Sequence, residues 1–159
     1  MLMFSIVPLD ASFADRVRVT RVDDFGLPVT ERIATGRGPC RVSLLPFRPG
    51  EDRRLLLKHS PFEIDNAYNQ PGPIFIHAGE VAPYADVHRF PPEIKADKEH
   101  FQLTLIGYDT EQMMVYTTLV GDRDVDELIE EIFAQRPAVA YLHARSAKAC
   151  CYICKIVRS

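Results

Sequence analysis

Apolar and polar residues alternate in several short runs along the chain, and one longer run repeats instead with the period of a helix. Val125, Leu128, Ile129, Ile132 and Phe133 fall at i, i+3, i+4, i+7 and i+8, which places them in one stripe on a helix over about 124–136. Asp124 can cap its start, with Glu127 three residues on, and Pro137 closes it. The two-residue period of a half-buried strand marks the other runs. Cys40, Val42 and Leu44 share one parity and Arg41 and Ser43 the other, which predicts a strand ending at Pro46; turn chemistry at Pro49–Asp52 then joins it in a hairpin to a strand over Arg54–His59. Phe101, Leu103 and Leu105 alternate with Gln102 and Thr104, and Asp109–Gln112 links them to the β-branched run Met113–Val120. Val139–Arg145 and Cys151–Val157 form two last strands around Ser146–Ala149.

The rest of the chain is less regular. Met1–Val7 predicts a first strand, Asp10–Asp15 a helical turn, and Val17, Val19 and Val22, separated by Arg16, Arg18 and Arg21, an extended piece. Residues 60–73 and 79–99 carry the prolines and asparagines of long loops, with the short strand Ile74–Ile76 between them and one helical turn from Pro92 to Lys98. Strands outnumber helices, hairpins are local, and no strand–helix–strand alternation runs along the sequence. The expected class is therefore α+β, a mainly antiparallel sheet with one principal amphipathic helix packed on it. With no repeat, low-complexity run or linker in 159 residues, one domain is expected over 1–159.

Composition narrows the partners. There are 22 acids against 19 Lys and Arg, a net charge of −3, which argues against an extended phosphate-binding surface and hence against nucleic acid. The apolar start has no basic residue ahead of it and soon meets Pro8 and Asp10, which makes it a poor signal peptide and too short to span a bilayer; no membrane partner is expected. Three of the four cysteines, Cys150, Cys151 and Cys154, crowd within five positions, a spacing that suits reduced thiols in a cytoplasm.

Cysteine and histidine are the residues to weigh for chemistry, as nucleophile with base or as metal ligands. Cys151 and Cys154 form a C-x-x-C, but on a strand rather than at the helix N-terminus that thiol redox chemistry uses, and Cys40 has no partner cysteine nearby for a zinc pair. His143 shares a strand parity with Val139 and Tyr141, while His77 and His59 end strands where loops gather. Arg41 stands inside an apolar run, where a guanidinium requires a carboxylate, a phosphate or main-chain carbonyls, and Arg145 follows His143 with the same need. Tyr68 in the 60–73 loop and His77 complete the candidate ligand-binding set. The sequence contains no G-x-G-x-x-G, no G-x-x-x-x-G-K-[ST], no H-E-x-x-H and no G-x-S-x-G. No cofactor is expected.

Pro39-Cys40-Arg41-Val42-Ser43-Leu44, Leu55-Leu56-Leu57, Gly72-Pro73-Ile74-Phe75-Ile76, Tyr141-Leu142-His143-Ala144 and Cys151-Tyr152 follow one another in an order that resembles the bacterial family named domain of unknown function 1203. The likeness runs from about position 39 to the end. Where members resemble Y-L-H-A-H-N-A and G-C-Y, this chain has Arg145 and Ser146 in place of the second histidine and the asparagine, and Cys150 in place of the glycine. The resemblance implies no activity, substrate or cofactor, and it singles out Cys40, Arg41, His143 and Cys151.

Two classes of function follow. In the first, Arg41 fixes a small anionic ligand while His143 supplies a base and Cys40 or Cys151 a thiol. In the second, these residues hold a core, and a sheet edge or helix face meets a partner or a second copy of the chain. A metal site built from Cys40, His77, His143 and Cys151 is a third reading, set against the expectation that the protein binds no metal.

Overall fold

A computed structural model describes residues 4–159. Among the described residues eight strands form two antiparallel sheets. The larger has the order β1-β8-β7-β5-β6, from Phe4–Val7 (β1), Leu103–Tyr108 (β5), Met114–Leu119 (β6), Tyr141–Ser146 (β7) and Tyr152–Arg158 (β8). The smaller has the order β2-β3-β4, from Thr30–Ile33, Arg53–His59 and Gly72–His77. The helices of the described residues complete the α+β fold: α1 at Ala11–Thr20, the short α2 at Pro92–Lys95 and α3 at Val125–Gln135.

The helix α3 forms where the stripe predicts it. The Asp124 carboxylate accepts the Glu127 amide at 3.0 Å, and Val125, Leu128, Ile129, Ile132 and Phe133 are all buried. They pack against Leu105, Leu142, Ala144 and Ile156 of the larger sheet, with Phe90 and Ile94 closing the end of this first core. A second core lies between α1 and the smaller sheet, where Ala14 and Val17 meet Leu55, Leu57, Ile74 and Ile76.

Two stretches differ from what their patterns predict. The run containing Val17 and Val19 continues α1 instead of extending: Ala14 and Val17 lie one turn apart and are buried, Val19 is 83% exposed, and Arg21 ends the helix in the left-handed conformation (φ 61°) with its amide donated to the Val17 carbonyl. Burial of one helical face outweighs the modest helix propensity of valine. The run Cys40–Leu44 is a tight turn and not a strand. The Leu44 amide donates to the Cys40 carbonyl at 2.9 Å, Leu44 takes φ 54°, and the strand β3 that was expected to pair with this run pairs instead with β2 and β4. All five residues are buried, so the alternation does not separate a wet face from a dry one. Cys40 and Val42 belong to the second core and Leu44 to the first, so the turn crosses from one core to the other. The strand expected over Met1–Val7 is present as β1, with residues 1–3 outside the described residues.

Candidate functional site

Alternation along β7 divides its side chains. Leu142 and Ala144 enter the first core, while Tyr141, His143 and Arg145 point to the opposite face of the sheet. In register with them on β5 stand Tyr108, Ile106 and Thr104. A β-bulge in the β7–β8 ladder pairs Tyr152 with Arg145 and Cys154 with Ala144, which turns both Ile153 and Cys154 into the core and leaves Tyr152 on the His143 face. The loop of residues 60–71 covers this face with Phe62 and Tyr68.

His143 is fully buried in a cage of rings. Its centroid lies 4.9 Å from Tyr108, 5.0 Å from Phe62, 5.0 Å from Tyr152 and 5.3 Å from Tyr141. Among the described residues neither ring nitrogen has a hydrogen-bond partner. Burial, with Arg145, Lys155 and His59 adding to it, depresses its pKa to about 3, so the imidazole is neutral at neutral pH. A neutral imidazole carries one N–H and one lone pair, and a buried polar group left unsatisfied is costly. The arrangement also leaves His143 without a hydrogen bond to any described cysteine, the contact through which it would activate a thiol.

Beside the cage opens a cleft of about 420 Å³, whose walls include His59, Tyr68, Tyr108, Arg145, Cys151 and Tyr152. His59 ends β3, faces Tyr152 at 5.8 Å and is held down by burial to a pKa of about 4. Arg145 donates to the Cys150 carbonyl at 2.9 Å and lies against the Tyr108 hydroxyl, whose ionisation burial opposes and Arg145 assists. Among the described residues no carboxylate pairs with Arg145, and none lines the cleft.

Arg41 lies on the other side of the start of β8. It is 3% exposed, and its Nε donates to the Tyr152 carbonyl at 2.7 Å and its Nη1 to the Pro39 carbonyl. Burial lowers its pKa to about 10, partly offset by Cys151, Cys40, Cys154 and Tyr152, and the group remains a cation at neutral pH. Tyr152 thus separates two candidates, offering its carbonyl to Arg41 and its ring to His143.

Of the residues singled out from sequence, the fold brings Tyr68, Arg145 and Cys151 to the cleft beside His143; Arg41, expected to share that site, lies on the far side of Tyr152 and does not line the cleft, and two more residues are left out. Cys40 is enclosed in the second core. His77, at the end of β4, lies tilted against Phe47 at 4.7 Å, and burial lowers its pKa. No group of three or more His, Cys, Asp or Glu among the described residues is placed to hold a metal, so Cys40, His77, His143 and Cys151 do not converge on one. Tyr108, Tyr152 and Phe62 were not anticipated. The Tyr141–His143 parity was visible, but which strands flank it depends on a register that the chain reveals only when folded.

The fold and site define an α+β protein of two antiparallel sheets with a cleft lined by aromatic residues and arginine. The chain belongs to the family described as protein of unknown function (DUF1203), whose profile matches residues 37–158. No curated protein and no solved structure matches the chain. No helix among the described residues is long and apolar enough to cross a membrane.

Proposed function

We propose that this is a bacterial, cytoplasmic protein that binds a small organic anion in the cleft beside His143. The observation that carries the reading is a mismatch of charge. A chain with 22 acids and 19 Lys and Arg lines this cleft with Arg145 and, among the described residues, with no acid. A guanidinium left without a protein counter-ion in a partly dry cleft favours an anionic ligand. Tyr68, Tyr108 and Tyr152 supply flat apolar surface for the ligand's body, and His59, neutral at neutral pH, adds a polar edge without charge. Four free thiols favour a reducing compartment. Binding is a better reading than thiol–imidazole catalysis, because both nitrogens of His143 are enclosed and neither bonds to a cysteine.

The test compares benzoate with its neutral isostere benzamide by equilibrium dialysis and thermal shift. Benzoate is expected to bind more tightly, and Arg145→Gln to remove the difference. Equal binding of the two ligands, or binding of neither, rejects the proposal. A second reading, an interaction module that pairs with another copy, draws on β6, an edge strand that exposes Met114, Val115 and Leu119. A melting temperature that falls on dilution would favour it.

A further inference from the structure

A second cleft, of about 260 Å³, opens on the Arg41 side of β8. Its walls include Gly36, Arg41, Arg54, Phe75, His100 and Cys151. Arg54 lies on β3 with its guanidinium carbon over the Phe75 ring, 3.7 Å from the centroid. The main chain of that same Phe75 accepts the Arg41 amide at 3.0 Å, which brings Arg41 and Arg54 to one wall. Neither guanidinium forms an ion pair with a carboxylate among the described residues; Arg41 is enclosed and Arg54 half-buried, and burial lowers the pKa of each. The cleft lining contains no Asp or Glu among the described residues. Asp97, the acid that holds His100 at 2.9 Å, is also paired with Arg37 at 3.1 Å.

The two arginines have capacity to spare. Arg41 uses Nε and Nη1 on main-chain carbonyls, two of the groups that carry its five N–H donors. Arg54 reaches the Gly36 carbonyl and the Thr35 hydroxyl at 3.4 Å each, the long end of the hydrogen-bond range, so it can turn to a better acceptor at small cost. Placing two uncompensated cations in one cleft is expensive unless an anion completes the site.

We propose that this cleft is a separate site for a tetrahedral oxyanion of the phosphate class, free or as the end group of a small molecule, held between Arg41 and Arg54. Fixed carbonyl contacts orient Arg41, while Arg54 closes on the anion from the rim. Cys151 lines this cleft as well as the first.

The experiment measures thermal stability of the full chain in sodium phosphate against sodium chloride at matched ionic strength, with glycerol 3-phosphate as the arm that separates a free anion from an end group. A saturable rise in melting temperature with phosphate or glycerol 3-phosphate is expected. Arg54→Gln is expected to weaken the response at least tenfold while melting cooperatively in chloride, and Arg145→Gln, at the other cleft, to leave it intact. No saturable response beyond chloride, or a response unchanged in Arg54→Gln, overturns the proposal. Loss of the response in Arg145→Gln overturns the separateness of the two sites.

Discussion

The larger sheet has two unlike faces. On one, Leu105, Leu142, Ala144 and Ile156 meet the stripe of α3 in an apolar core. On the other, the same strands present Tyr108, Tyr141, His143 and Arg145, and the cover is the loop of residues 60–71. The first face is stabilised by dispersion and removal of apolar surface from water. The second buries an imidazole whose two nitrogens have no partner among the described residues and leaves Arg145 without a counter-ion there. One strand therefore holds the fold with its even-numbered residues and displays polar chemistry with its odd-numbered ones.

That contrast can be broken or sharpened by substitution. Ile129 is fully buried in the helix-covered face, and Ile129→Ala should destabilise by about 2 to 5 kcal/mol in urea unfolding. A loss under about 1 kcal/mol would mean that this core is not the main source of stability. Arg41→Met strands the Tyr152 and Pro39 carbonyls without their side-chain donor, and should cost about 1 to 3 kcal/mol for each one left unsatisfied. No loss would show that water replaces the guanidinium.

At His143 the effect should have the opposite sign. His143→Phe removes two unsatisfied nitrogens from a cage of rings and should stabilise by about 1 to 2 kcal/mol at neutral pH; destabilisation would indicate a partner for the imidazole in solution. The same variant should change the pH dependence. The folded pKa of His143 is depressed to about 3 from an ordinary 6.5, so below pH 6.5 the unfolded chain takes up a proton that the folded protein does not. Stability contributed by neutral His143 is full above that pH and is lost as pH falls from 6.5 towards 3, by at most about 1.4 kcal/mol per pH unit. His59, depressed to about 4, adds a second such group over pH 6.5 to 4. His143→Phe should remove its share of that slope, and an unchanged slope between pH 6.5 and 5 would show that His143 is not held neutral. The smallest effect is expected at Arg145→Gln, within about 0.5 kcal/mol of wild type. A larger loss would make Arg145 a structural residue and weaken the anion reading.

Legibility follows the same division. The stripe and cap of α3, the β5–β6 hairpin and the parity of Tyr141 and His143 were all readable, and the family resemblance quoted its blocks from residues that the family match then covered. The cleft was not readable as a place. His59 and Arg145 are far apart in the chain, and their meeting at Tyr152 depends on how the smaller sheet sits against β8 and on the bulge between Ala144 and Arg145. Arg41 illustrates the limit. Its apolar neighbours signalled a guanidinium with unusual needs, but the alternation of Cys40, Val42 and Leu44 suggested a strand with one wet face, whereas the turn is enclosed by two cores.

By itself the sequence determined the elements whose period matches their own solvent boundary: an amphipathic helix and half-buried strands, where residue spacing and burial repeat together. Tertiary structure alone decided that valines 17 and 19 belong to a helix, that Cys40–Leu44 turns between two cores, and which rings surround His143. The physical reason is one of range. Backbone geometry imposes its periods over a few neighbouring residues, while exclusion of water from both sides of a segment, and the register that aligns Tyr108 with Tyr141, come from parts of the chain tens of residues away.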